Sequence, residues 1–97
     1  MKNIDLNNLI YLIGNKADKS AFKDIFNYFA PRIMGYLINS GSNKQFAEEI
    51  TQEVLSTVWQ KANQFEHIKG NISTWIFTIT KNKRIDRIRK NEKYAYN

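Results

Sequence analysis

The chain has 97 residues, no cysteine, a net charge of +6 and 42% hydrophobic residues. That composition describes one soluble domain with one modest core, and it excludes disulfides and thiolate metal sites. Polar residues interrupt every apolar segment, so no membrane span fits. Met1-Lys2-Asn3-Ile4-Asp5 carries an acid where an export signal has an apolar run, so a cytoplasmic location is expected.

Apolar residues recur at spacings of three and four along the whole chain, which predicts an all-α fold. The first helix is expected over about Leu6 to Ile13, with Leu6, Leu9, Ile10 and Ile13 on one face and Gly14-Asn15 ending it. A long second helix follows from about Lys19 to Asn39. Its stripe is Phe22, Ile25, Phe26, Phe29, Ile33, Met34 and Leu37, with a bend or a break expected at Pro31. Ser40 to Asn43 reads as a turn, and Ser42 or Asn43 as the next N-cap.

The third helix, about Lys44 to Asn63, is predicted to bury Ala47, Ile50, Val54 and Val58, with Leu55, Trp59 and Ala62 widening the stripe. A loop from Gln64 to Asn71 then holds Phe65, His67 and Gly70. Asn71 or Ser73 can cap a fourth helix that runs to about Lys90, with a frayed tail beyond. Connections of a few residues favour antiparallel packing, hence a compact bundle of about four helices with long third and fourth members.

Charge is unevenly placed. From Lys81 onward, basic residues 81, 83, 84, 87, 89, 90 and 93 stand against Asp86 and Glu92, a net of +5 in a chain of +6. The stripe Ile72, Ile76, Ile79 continues at the same spacing as Lys83, Arg87 and Lys90, so one helix starts against a core and ends as a cationic rod. Terminal cations gain from the helix dipole, but a run this dense points to a polyanion, and a localised patch suits nucleic acid.

The third helix has the opposite sign. Glu49 and Glu53 are neighbours at i and i+4, with Glu48 and Gln52 beside them, and no Lys or Arg stands at i+4 within the helix to relieve them. Such like-charge pairs cost a few tenths of a kcal/mol, which a basic protein partner would reverse. Trp75 suits either core or a stacking platform, Phe65 is a loop aromatic, and the amide of Asn82 could read a base edge. His67 is the only histidine, and no nucleophile elbow or phosphate-cradling glycine loop is present. No enzymatic activity, cofactor or metal is expected.

Ala47-Glu48-Glu49-Ile50-Thr51-Gln52-Glu53-Val54-Leu55, then Val58-Trp59, Phe65, Gly70-Asn71-Ile72-Ser73-Thr74-Trp75-Ile76-Phe77-Thr78-Ile79, Asn82 and Ile85-Asp86-Arg87-Ile88-Arg89 occur in that order. Ala21-Phe22 and Ala30-Pro31-Arg32 precede them. Together they resemble region 2 of the bacterial extracytoplasmic-function (ECF) sigma factors over roughly residues 18 to 90. The resemblance implies a small helical domain that binds the clamp helices of the β′ subunit of core RNA polymerase. It also implies recognition of the non-template strand of the −10 promoter element as the duplex opens.

By position, Gln52 and Glu53, with Glu48 and Glu49 near them, would face the polymerase. Phe65, Trp75 and Asn82 would surround a flipped-out base, beside a specificity loop of about Phe65 to Ile72. Lys81, Lys83, Arg84 and Arg87 would hold backbone phosphates. An anti-sigma factor is the further partner implied. Ile72 stands where the family usually has Phe. Thr78 and Ile79 replace the paired tryptophans of primary sigma factors, as in the extracytoplasmic type. The chain stops where that family has a linker to region 4, so region 2 alone is expected, as one domain over residues 1–97. Two other readings are a sigma-like module that binds polymerase or an anti-sigma factor without reading DNA, and a nonspecific nucleic-acid binder, whose affinity would track salt and ignore sequence.

Overall fold

In the computed structural model, residues 5–65 and 70–95 are described, with side chains as far as Asn91 in the last helix. The described residues form four α-helices: α1 (Leu6–Lys16), α2 (Lys19–Asn39), α3 (Lys44–Lys61) and α4 (Ile72–Ala95), with a 3-10 turn at Ala62–Gln64 after α3. The expected bundle is the observed one. His67 and the middle of the specificity loop lie outside the described residues.

Each start is fixed by a short polar side chain that satisfies an otherwise unpaired backbone donor. Asp5 accepts from the Asn8 N–H at 3.1 Å and Asp18 from Ala21 at 3.0 Å. Asn43 accepts from Phe46 at 2.8 Å and Asn71 from Thr74 at 3.2 Å. The α2 end is a Schellman motif: the Ser42 N–H donates to Leu37 O and the Gly41 N–H to Ile38 O, both at 3.0 Å. Gly41 adopts φ 101°, a conformation glycine reaches without the Cβ clash that other residues suffer.

α3 is the hub, packing on α1, α2 and α4. Ile25, Phe29, Ile33 and Leu37 of α2 meet Ile50, Val54, Leu55 and Val58 of α3 in the core, joined by Ile10 and Ile13 of α1 and Ile72 and Ile76 of α4. Burial of each large member contributes about 1.5–3 kcal/mol relative to exposure. Two threonines are also buried. Thr51 and Thr80 hide their hydroxyls by donating to the carbonyls of Ala47 (2.7 Å) and Ile76 (2.9 Å), four residues back on their own helices.

Several expectations are revised. α1 does not end at Gly14 but runs to Lys16, and Ala17 takes the left-handed terminal position at φ 48°. Gly14 has a packing role instead: a Cβ there would stand 2.7 Å from the Asn63 nitrogen and 2.8 Å from the Ala62 carbonyl carbon. Pro31 is accommodated inside one assigned helix, Lys19–Asn39, rather than splitting it in two. Phe26 is 39% exposed and contributes to the surface, not the core. α4 continues to Ala95, past the expected end at Lys90.

The core register of α4 also differs from expectation. It passes through Ile72, Ile76 and Thr80, while Ile79 is only half-buried. Beyond Thr80 no described residue of α4 is fully buried, so the second half of the helix does outrun the core and present its charge to solvent.

Candidate nucleic-acid interface

Phe65 leaves the 3-10 turn in an extended conformation, φ −76° and ψ 123°. Its ring lies flat on that of Trp75, in the first turn of α4, with centroids 5.0 Å apart and planes 2° from parallel. Both residues are half-buried and lean on the core. The stack is therefore supported by the core and part-exposed.

Asn82 stands seven residues after Trp75, which places it about 20° from Trp75 around α4 and about 10 Å further along the axis. It is exposed. Ile79, half-buried, lies between them on the same side. A flat aromatic platform and a side-chain amide thus share one face of one rigid helix. Asp86 and Arg89, both exposed, fall within about 40° of the same direction. Arg89 is a cation the sequence reading left out of the site, although its seven-residue spacing from Asn82 is visible in the sequence.

The other four cations are distributed differently. Lys81 is exposed and lies about 120° around the helix from Trp75, so it does not share that face. Arg84 donates from its terminal nitrogen to Ser40 O at 3.1 Å, where the guanidinium adds positive charge to the carbonyl end of α2. Its Nε is buried without a partner. Lys83 and Arg87 line a groove of about 640 Å³ between α3 and α4.

That groove is where the two charged surfaces meet. Glu49, Gln52 and Glu53 line one wall, and Lys83, Asp86, Arg87 and Lys90 the other. Arg87 bridges it, donating to Glu49 Oε2 at 3.0 Å and to Glu53 Oε1 at 2.6 Å. These hydrogen bonds, Glu53 first and Glu49 second, raise the Arg87 pKa above its ordinary value. The charge is present at every pH below the usual arginine range and would be lost only above the raised value, so the cationic half of the bridge is constant near neutrality. The repulsion between Glu49 and Glu53 is thereby relieved from within the chain. Both carboxylates remain accessible, with 47% and 44% of their side chains exposed, and Gln52 and Glu48 are exposed as well.

A further aromatic group lies on the α2–α3 side. Phe22 makes edge contacts with Trp59 at 5.2 Å and with Phe26 at 6.2 Å, and Ser56 and Gln60 connect this patch to the groove. Among the described residues no group of acidic residues and histidines is arranged to hold a metal, and no helix is long and apolar enough to cross a membrane.

Comparison with known proteins places this geometry. Residues 25–94 match the Sigma-70 region 2 family. An ECF RNA polymerase sigma factor, RpoE, from Cereibacter sphaeroides is 46% identical over 82 residues, which cover 84% of this chain and 45% of the relative. The ECF sigma factor SigK of Mycobacterium tuberculosis is 29% identical over 72 residues, 74% of this chain and 38% of its own length. The crystal structure of Rhodobacter sphaeroides SigE in complex with the anti-sigma ChrR superposes with a TM-score of 0.81 at 44% identity, covering 84% of this chain and 53% of that one. The chain spans less than half the length of the curated relatives it matches. Sigma factors are transcription initiation factors and not enzymes. The chain belongs to the Sigma-70 region 2 family and is the region 2 domain of an ECF sigma factor.

Proposed function

We propose that this domain docks on the clamp helices of the β′ subunit of core RNA polymerase and captures an unpaired base of the −10 element. The α3 surface of Gln52 and Glu53, with Glu48 and Glu49 beside them, is the polymerase face. Phe65, Trp75 and Asn82 form the base site. Phosphates are drawn by Lys81, Lys83 and Arg84 on the cationic half of α4, where Arg87 is engaged by Glu49 and Glu53.

The observation that carries this reading is the Phe65–Trp75 stack with Asn82 on the same helical face. An aromatic platform contributes about 1–3 kcal/mol per stacked base whatever the base, and a bidentate amide adds about 1–3 kcal/mol of discrimination. Flipping a base out of the duplex costs a few kcal/mol. One such site offsets that cost only when the duplex is already strained. The domain therefore acts on polymerase-bound, partly opened DNA in the cytoplasm, and does not hold promoters tightly by itself. The SigE structure contains an anti-sigma factor, which supports an anti-sigma partner here too.

Phe65→Ala and Asn82→Ala test the base site. Both should lower capture of a single-stranded −10 oligonucleotide by the polymerase-bound domain and leave affinity for core polymerase unchanged. If oligonucleotide capture survives both substitutions while polymerase still binds, the domain is a protein-docking module without DNA readout.

A further inference from the structure

We propose that Arg87 is a positioning residue that ties the acidic face of α3 to the basic half of α4, and is not one of the phosphate contacts. The proposal rests on the region 2 reading for the two surfaces it joins.

Arginine holds phosphate or carboxylate through its paired N–H groups. In Arg87 each terminal nitrogen gives one N–H to a carboxylate, to Glu49 at 3.0 Å and to Glu53 at 2.6 Å, and the guanidinium carbon lies 5.9 Å from the centre of the Phe46 ring. A phosphate at the remaining N–H groups would stand beside two carboxylates, and one that took the bridging donors would leave those carboxylates to repel each other across one helical turn. Each glutamate gives Arg87 one oxygen and keeps the other for a protein partner. The bridge thus holds the two carboxylates side by side on an exposed surface and fixes α4 against α3 beyond Thr80, where apolar burial has ended. Docking through Glu49 and Glu53 then sets the direction of the helix that carries Trp75 and Asn82.

The test compares Arg87→Ala, Arg87→Lys and Lys83→Ala in the 97-residue chain bound to core polymerase. The affinity for a single-stranded −10 oligonucleotide is measured across a salt series. A lost phosphate contact on single-stranded DNA lowers the slope of log affinity against log salt by about 0.7. Lys83→Ala is expected to lower it by that amount and Arg87→Ala to leave it unchanged. Arg87→Lys keeps the charge but not the two-pronged bridge, so both Arg87 variants are expected to weaken polymerase binding about 2- to 5-fold, the range of one or two exposed ion pairs. A slope lowered by Arg87→Ala and restored by Arg87→Lys would overturn the proposal, because lysine brings the same charge to a phosphate and so restores the salt slope.

Should the wild-type complex bind no oligonucleotide, the DNA reading itself fails, and Arg87 is judged separately. A double-mutant cycle of Arg87→Ala with Glu53→Gln, read by thermal unfolding and by polymerase affinity, then decides. Coupled effects support the bridge and strictly additive ones refute it.

Discussion

Phe65 and Trp75 are ten positions apart and belong to different elements, yet their rings lie 2° from parallel at a centroid separation of 5.0 Å. Phe65 follows the 3-10 turn after α3, and Trp75 lies in the first turn of the Asn71-capped α4. Parallel planes at that separation make an offset stack, whereas Phe22 and Trp59 meet edge to face at 71°. A parallel, half-buried pair suits a third flat ring.

Trp75 should report that third ring directly. The protein has two tryptophans, so Trp59→Phe leaves Trp75 as the only one in the domain, and 5-hydroxytryptophan incorporated there can be excited apart from the tryptophans of polymerase. Adding a single-stranded −10 oligonucleotide in the presence of core polymerase should quench its fluorescence. Phe65→Ala in the same background should weaken binding by about 1–3 kcal/mol, roughly 5- to 150-fold, the worth of one stacking partner.

Asn82→Ala should separate recognition from stability. Asn82 is exposed at mid-helix and alanine has the better helix propensity, so the melting temperature is expected to stay level or rise slightly. Discrimination at one base position should fall by about 1–3 kcal/mol. Competition among oligonucleotides that differ at single positions measures it.

Gly14→Ala is expected to destabilise the fold although alanine favours helix by about 1 kcal/mol over glycine. The new methyl would stand 2.7–2.8 Å from the backbone of Ala62 and Asn63, which cannot swing aside as a side chain could. Overpacking of this kind costs about 1–3 kcal/mol, so a net loss of roughly 1 kcal/mol should appear in chemical denaturation.

Arg84→Met should also destabilise, by about 0.5–1.5 kcal/mol, through loss of the hydrogen bond to Ser40 O and of positive charge at the end of α2. Methionine keeps much of the stem's packing, so the measured loss in thermal unfolding isolates the guanidinium.

Sequence periodicity revealed what is local. The bounds of α2, the start of α3 and most of the buried stripe follow from spacing alone, whereas the choice of Asn43 over Ser42 and of Asn71 over Ser73 as caps comes from the structure. Thr80 escaped because its hydroxyl makes it look polar, whereas back-bonding to Ile76 O lets it replace Ile79 in the core. Phe26 was misplaced because hydrophobicity predicts burial only where a neighbouring helix exists to cover it. Gly14 was read as a terminator because a close approach by a turn nearly fifty residues away leaves no local trace. The Arg87 bridge was invisible for the same reason, since it spans 34 and 38 positions. The acidic and basic surfaces were each legible, but their meeting at one groove was not.

The most direct measurement is fluorescence binding of the chain to a library of single-stranded −10 oligonucleotides, with and without core polymerase. Weak binding alone and sequence-selective binding on polymerase, lost with Phe65→Ala or Asn82→Ala, is the predicted result. An affinity profile that ignores sequence in both conditions would contradict the account.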